Sequence, residues 1–259
     1  MKAPERYRGS LFGNLSFLWD MLRDNLKLIA QLQVRKDRIM NPWEKISLSD
    51  YENHMSLASV NQLQAMNKMM KFQFETYLVT SAIVFGVAGG NGLEHVNLKK
   101  YSKIYGIDIN NIYLDNVKKR YSFMGDILEC KRIDLTSEPD MLPEAELVIA
   151  NLVIEYVGLE AFKKGVLKTG ARYVSCIIQI NTDDESWVSD SPYLHSFDGL
   201  DAVHHRVDEQ SLIMAMNEIG YGLLKTATTP LPNGKKLVML DFERLIQVYR
   251  ENRCLNIEK

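Results

Sequence analysis

Residues 81–92 read SAIVFGVAGGNG, and the order of residue types in that stretch decides how the rest of the chain is read. Ile83, Val84, Phe85 and Val87 form a short apolar run suited to a buried strand. Ala88-Gly89-Gly90-Asn91-Gly92 follows, and a helix is expected to open just after the last glycine. Glycine permits positive φ and close approach of a ligand, and a helix N-terminus offers unpaired N–H groups to an anion or carboxylate. Strand, glycine turn and helix together make a nucleotide-type cofactor cradle. Asp108 ends the next apolar run, Ile104-Tyr105-Gly106-Ile107, about 20 residues beyond the glycines, where a ribose-binding carboxylate is expected.

Outward from this stretch, strand signals fall near Ile83, Ile104, Cys130–Ile133, Leu147–Asn151 and Tyr173–Ile180. Helical segments separate them, notably Ile112–Tyr121 and Leu159–Leu167, the latter stopped at Gly170. Such alternation, with continuous apolar strands, predicts a parallel sheet covered on both faces. Asp208 is expected to cap a helix reaching Ile219. Tyr221–Thr229 and Lys236–Phe242, joined through Pro232-Asn233-Gly234, then predict an antiparallel pair. The expected fold is a doubly wound α/β, mostly parallel seven-stranded Rossmann-like sheet with a final antiparallel strand.

Before Ser81, apolar spacing predicts helices over Leu11–Leu32 and Asn61–Tyr77, interrupted at Asn41-Pro42. Residues 1–80 are read as an N-terminal helical extension and 81–259 as the main domain. Trp43–Met55 has two readings, a lid over the cofactor mouth or a helix start capped by Ser49 or Asp50. The stretch at about 181–206 is read as an acceptor-side insertion, given its length and its Trp187, Tyr193, Phe197, His195, His204 and His205. A surface loop pinned by those aromatics fits the same residues.

At 259 residues and 46% hydrophobic, the chain can bury a full core. A net charge of −2 makes no electrostatic case for nucleic acid or an anionic membrane. Cys130, Cys176 and Cys254 lack zinc or redox spacing and read as reduced thiols, and the five histidines show no metal motif. No apolar run reaches the roughly 20 residues that span a bilayer, and no signal-peptide core is present. The expectation is a soluble, cytoplasmic protein acting on a small-molecule acceptor, with a homodimer left open.

A nicotinamide fingerprint would place a further glycine three residues after Gly92, where His95 stands, and no Gly-Lys-Ser or Gly-Lys-Thr phosphate loop follows. Over Ser81 to Arg244 the sequence instead resembles the class I S-adenosylmethionine-dependent methyltransferases. The resemblance is carried by the glycine loop, Asp108 in Tyr-Gly-Ile-Asp, Asp134 in Arg-Ile-Asp-Leu, Leu147–Asn151 running on to Glu155-Tyr156-Val157, and the closing hairpin. It implies S-adenosylmethionine as cofactor and S-adenosylhomocysteine as product. Gly89, Gly90, Asn91 and Gly92 would then meet the methionine part of the cofactor. Asp108 and Ile109 would hold the ribose, Asp134 and Leu135 would flank adenine, and Asn151 to Tyr156 would face the methyl group. Gly86 and Ala88 belong to the same loop, at positions where the family carries an acid and a glycine.

Two of these acids have local readings as well, Asp108 as a helix N-cap and Asp134 as the cap of a turn with Thr136 and Ser137. For acceptor chemistry the candidates are Glu155, Tyr156 and His54, although Glu155 also suits the first turn of a helix. Asn151-Leu152-Val153-Ile154 is not the Asn-Pro-Pro-Tyr signature of adenine or glutamine methylation. The expected activity is methyl transfer to oxygen or nitrogen of a small organic molecule. Alternatives are methylation of protein or RNA, a non-catalytic cofactor-binding relative, and a nicotinamide oxidoreductase.

Overall fold

The computed structural model describes residues 40–181 and 187–245, so the helix expected over Leu11–Leu32 and the thiol of Cys254 lie outside the described residues. Seven strands are present: β1 (Ser81–Phe85), β2 (Lys103–Asp108), β3 (Leu128–Arg132), β4 (Leu147–Asn151), β5 (Tyr173–Ile180), β6 (Tyr221–Pro230) and β7 (Lys236–Arg244). They form one sheet in the order β3-β2-β1-β4-β5-β7-β6. Strands β1 to β5 pair in parallel, whereas β7 lies between β5 and β6 and is antiparallel to both. The expected mostly parallel sheet with a reversed last strand is therefore the observed one. Its strand order turns back between β1 and β4, which opens a crevice at their carboxyl ends, where α/β sheets bind ligands.

Among the described residues five α-helices cover the sheet: α1 (Leu48–Ser56), α2 (Gln62–Thr76), α3 (Asn111–Arg120), α4 (Ile154–Thr169) and α5 (Glu209–Glu218). Alternate residues of each strand point to opposite faces. Ala82 and Val84 of β1 meet Met70 and Phe74 of α2 and Leu114 and Val117 of α3. Ile83 and Phe85 meet the other layer, where Phe162 and Val166 of α4 and Leu212 and Met216 of α5 pack. Each such side chain, fully buried, contributes about 1.5–3 kcal/mol.

The second helix of the expected extension, α2, supplies core side chains to the sheet. One expectation is corrected here. The helix expected directly after Gly92 is absent, replaced by a three-residue 3-10 turn, Leu93–His95, and a run of turns into β2. The reason is α2, which already covers this face: a Cβ on Gly92 would lie 2.7 Å from Met70 Sδ. Asn67 of α2 ties the connection down, donating to Asn91 Oδ1 at 3.0 Å and bonding His95 Nε2 at 2.9 Å. Other boundaries follow the sequence cues. Asp208 caps α5 with a capping box, and Gly170 ends α4 at φ 65°.

Candidate functional site

The crevice is built on the carboxyl ends of β1, β2 and β4. In the β1 loop, Gly86, Ala88, Gly90 and Gly92 all have positive φ while the residues between them do not. Ala88 at φ 46° bears the strain of a side chain in the left-handed region, about 1–2 kcal/mol. Its N–H donates to Asp108 Oδ2 at 2.9 Å, and Asn110 N–H donates to Oδ1 at 2.9 Å. Asp108 thus laces the glycine loop to the end of β2. It is not the N-cap of α3; that role falls to Asn110, whose side chain accepts from Ile112 and Tyr113. Burial pushes the Asp108 carboxyl up to about 6, against the pull of its backbone donors. A carboxylate has about four lone-pair sites, so beyond these backbone donors Asp108 keeps capacity for ribose hydroxyls.

The other sequence candidates on the cofactor side are differently placed. Asp134 closes its own turn, accepting from Thr136 N–H at 2.9 Å, Thr136 Oγ1 at 2.6 Å and Ser137 Oγ at 2.8 Å. Leu135 is buried in the core with Ile133 and Leu142, and Ile109 is half-buried at the β2 end. Asn151 exchanges two amide hydrogen bonds with Gln73 of α2, at 3.0 and 2.9 Å, and Gln73 also donates to Ser175 Oγ. The Asn151 amide is therefore directed to the α2 layer. Gly86 has φ 66°, and a Cβ there would lie 2.9 Å from Val153 Cγ2, so an acid at this position would collide with the chain leaving β4.

The segment from Pro42 to Ser56 lies over the loop. Ser47 caps α1 by accepting from Asp50 N–H, two residues before Ser49 and three before Asp50, the caps expected from sequence. Arg120 of α3 pairs through both terminal nitrogens with Glu52 of α1 and donates to Gly89 O at 3.1 Å. Asn110 Nδ2 donates to Trp43 O, and the Tyr113 hydroxyl to Ile46 O, each at 2.9 Å. A Cβ on Gly89 would meet Glu52, Arg120 and Leu48. The segment is a capped helix, as one of its two readings expected.

On the acceptor side the structure brings Glu155, Tyr156 and His54 into the lining of one cavity of about 80 Å³. Aromatic rings make part of its wall, and Gln62, Gln179, Asn181 and Ser189 add polar groups. Trp43 meets the Tyr156 ring edge-on at 4.8 Å, Trp187 stacks on His204 at 4.1 Å, and Phe197 lies 4.8 Å from His54. Glu155 opens α4 and is buried; its Oε1 accepts from Gln179 N–H at 2.9 Å, while Oε2 has no partner. Burial lifts this carboxyl to about 7, only partly offset by the backbone donors. Burial also holds the His54 imidazole below its usual value, helped by Lys235, and its Nδ1 bonds Ser191 Oγ at 2.7 Å. A carboxyl poised near neutrality beside a closed apolar wall can take a proton from a bound molecule.

Trp43, Tyr51, Gln73 and Gln179 were not singled out from the sequence as site residues. Gln73 carried a signal, being an amide one residue from Phe74 on a helix whose stripe is otherwise Met and Phe. Among the described residues there is no cluster of His, Cys, Asp or Glu able to hold a metal, and no helix long and apolar enough to cross a membrane.

No family model and no curated protein matches the sequence. Solved structures do match its fold. The geranyl diphosphate C-methyltransferase of Streptomyces coelicolor A3(2), in complex with Mg2+, geranyl diphosphate and S-adenosyl-L-homocysteine, aligns over 71% of this chain and 81% of its own at 9% identity, TM-score 0.55. The magnesium protoporphyrin IX methyltransferase ChlM of Synechocystis PCC 6803, with bound SAM, aligns over 80% and 92% at 10% identity, TM-score 0.51. The [4+2]-cyclase SpnF aligns over 70% and 81% at 9% identity, TM-score 0.53. Sheet order, the reversed β7 and these alignments together give the chain the class I methyltransferase fold, on which transferases and a cyclase alike are built.

Proposed function

We propose that the protein is an S-adenosylmethionine-dependent methyltransferase acting on oxygen or nitrogen of a small organic molecule. The observation that carries this reading is a pair of buried carboxyls at the carboxyl end of the sheet, Asp108 at the end of β2 and Glu155 just after β4, on either side of β1. Asp108 is laced to the glycine loop, and Glu155 faces an aromatic cavity with one oxygen unpartnered. The cradle fits the cofactor in three respects: an acid at the end of β2, loop glycines at positive φ, and a fold whose relatives are described with SAM or S-adenosyl-L-homocysteine bound. When bound, S-adenosylmethionine supplies an electrophilic methyl group on sulfur.

The chain's own residues do the rest. Asp108 would accept hydrogen bonds from the ribose hydroxyls, and the loop backbone around Gly89 to Gly92 would meet the amino-acid portion. Methyl displacement from sulfur needs no acid for the leaving group, so alignment and an unsolvated nucleophile supply most of the acceleration. The wall of Trp43, Tyr156 and Trp187 excludes water, and Glu155 takes the proton that the acceptor releases. Pro42 to Ser56 acts as a lid that closes both sites, since α1 bonds α3 through Glu52 and the insertion through Asp50 to Ser196 Oγ at 2.9 Å. We place the protein in the cytoplasm.

Calorimetric titration of the intact protein with S-adenosylhomocysteine tests the reading. Saturable binding, weakened by Asp108→Ala, supports it, and absence of heat with a folded protein sinks it. A second reading, cofactor binding without turnover, is favoured by the Glu52–Arg120 pair packed on Gly89. Tight binding of S-adenosylhomocysteine with no methyl transfer across a broad acceptor panel would select it.

A further inference from the structure

The cavity beside Glu155 has a composition that names its ligand class more narrowly. Trp43, Tyr51, Tyr156 and Trp187, whose rings pack edge to face on one another, line it together with the buried carboxyl of Glu155. Among the described residues no lysine or arginine lines it and no ion pair involves Glu155, although Arg206 lines the second cavity that Glu155 shares. Lys235 is buried nearby, but its ammonium donates to the Trp187 carbonyl oxygen at 2.8 Å. A carboxylate taken out of water without a counter-ion is costly, and aromatic faces attract cations through the ring quadrupole. Both costs and attractions point to a positive charge arriving with the ligand.

We propose that the acceptor is an amine, bound as its ammonium ion between the aromatic wall and the unpartnered Oε2 of Glu155. This rests on the methyl-transfer reading for the reaction, but not for the binding. In the reaction, the ammonium gives one proton to Glu155 Oε2, which leaves a neutral amine with a free lone pair. That pair forms the new N–C bond as the donor's S–CH3 bond breaks and its electrons stay on sulfur, and the product is the methylated ammonium. The proton then leaves Glu155 through the second, more polar cavity that it also lines, bounded by His204, His205, Arg206 and Asp208. The methylated product stays cationic, so the aromatic wall holds acceptor and product alike.

The small volume suits compact head groups, which sets the probes. Propylammonium and benzylammonium, each compared with propanol or benzyl alcohol and with butyrate or benzoate, are titrated by NMR line broadening with S-adenosylhomocysteine present. Each ammonium ion should bind about ten-fold more tightly than its alcohol, and the carboxylates not at all. Glu155→Gln should erase the preference for ammonium over alcohol. Trp187→Leu, a second variant, should lower ammonium affinity while leaving binding of S-adenosylhomocysteine unchanged. Equal or tighter binding of the alcohols, binding of the carboxylates, or no ammonium binding at millimolar concentration overturns the inference. Because S-adenosylhomocysteine binding is measured on the same samples, a lost amine preference with intact nucleoside binding refutes this inference alone.

Discussion

Replacing Glu155 by Gln tests the central electrostatic feature of the acceptor side without changing its shape. In the folded protein burial raises this carboxyl from 4.5 to about 7, so the fold holds its proton more tightly than the unfolded chain does. Stability must therefore fall as pH rises through that window, the reverse of the behaviour of an ion-paired acid. At about 1.4 kcal/mol per pH unit, the full window corresponds to about 3 kcal/mol. Between pH 5.5 and pH 8.5 about 2 kcal/mol of it is expressed. Gln keeps the acceptor for Gln179 N–H but leaves an amide donor where Oε2 has no partner, a cost of about 1 kcal/mol. Urea unfolding of both proteins across this range should show the variant gaining about 2 kcal/mol on the wild type as pH rises, or roughly 4–8 °C in melting temperature. Asp108 and Asp241, also raised by burial, are common to both proteins and cancel in the difference. A stability difference that stays flat with pH would show that Glu155 titrates normally, and the proposed base would lose its basis.

Further outcomes follow from the same geometry. Ala88→Gly relieves a left-handed alanine and should stabilise the fold by about 1 kcal/mol in urea unfolding. Gly92→Ala sets a Cβ 2.7 Å from Met70 Sδ at φ 91°, and should destabilise by about 2 kcal/mol in the same assay, with α2 the element displaced. Arg120→Ala removes a partly exposed pair with Glu52; its stability should change by less than about 1 kcal/mol, yet limited proteolysis within residues 42–56 should accelerate several-fold. Methyl transfer, once an acceptor is in hand, should rise with pH through about 7 as Glu155 ionises, and Glu155→Gln should lower it about 100-fold or more.

Much of the fold was legible because strand signals are local and strong. The apolar runs at Ile83, Ile104 and Leu147 are continuous, and Pro232-Asn233-Gly234 announces the hairpin between β6 and β7. The helix expected after Gly92 failed because its place was taken by an element lying earlier in the chain. No pattern near residues 93–100 could show that Met70 and Asn67 already occupy that face. The place of Asp108 at the end of β2, beside the glycine loop, follows from spacing, since a strand end fixes where a side chain emerges. Asp134 had a second, local reading because short polar side chains bond whatever lies nearest, here a turn, and Asn151 likewise bonds the Gln73 amide. The gathering of Glu155, Tyr156 and His54 depends on contacts over 100 residues apart in sequence, such as His54 with Ser191. Individual residues could be nominated from the sequence, but only the folded chain brings them to one cavity.

The most direct measurement is a crystal structure of the complex with S-adenosylhomocysteine. The account predicts the nucleoside across the carboxyl ends of β1 and β2, both ribose hydroxyls on Asp108, and the sulfur directed at the cavity that Glu155 lines. A nucleoside bound elsewhere, or an Asp108 carboxylate that keeps only its bonds to Ala88 and Asn110 while ligand is present, would contradict it.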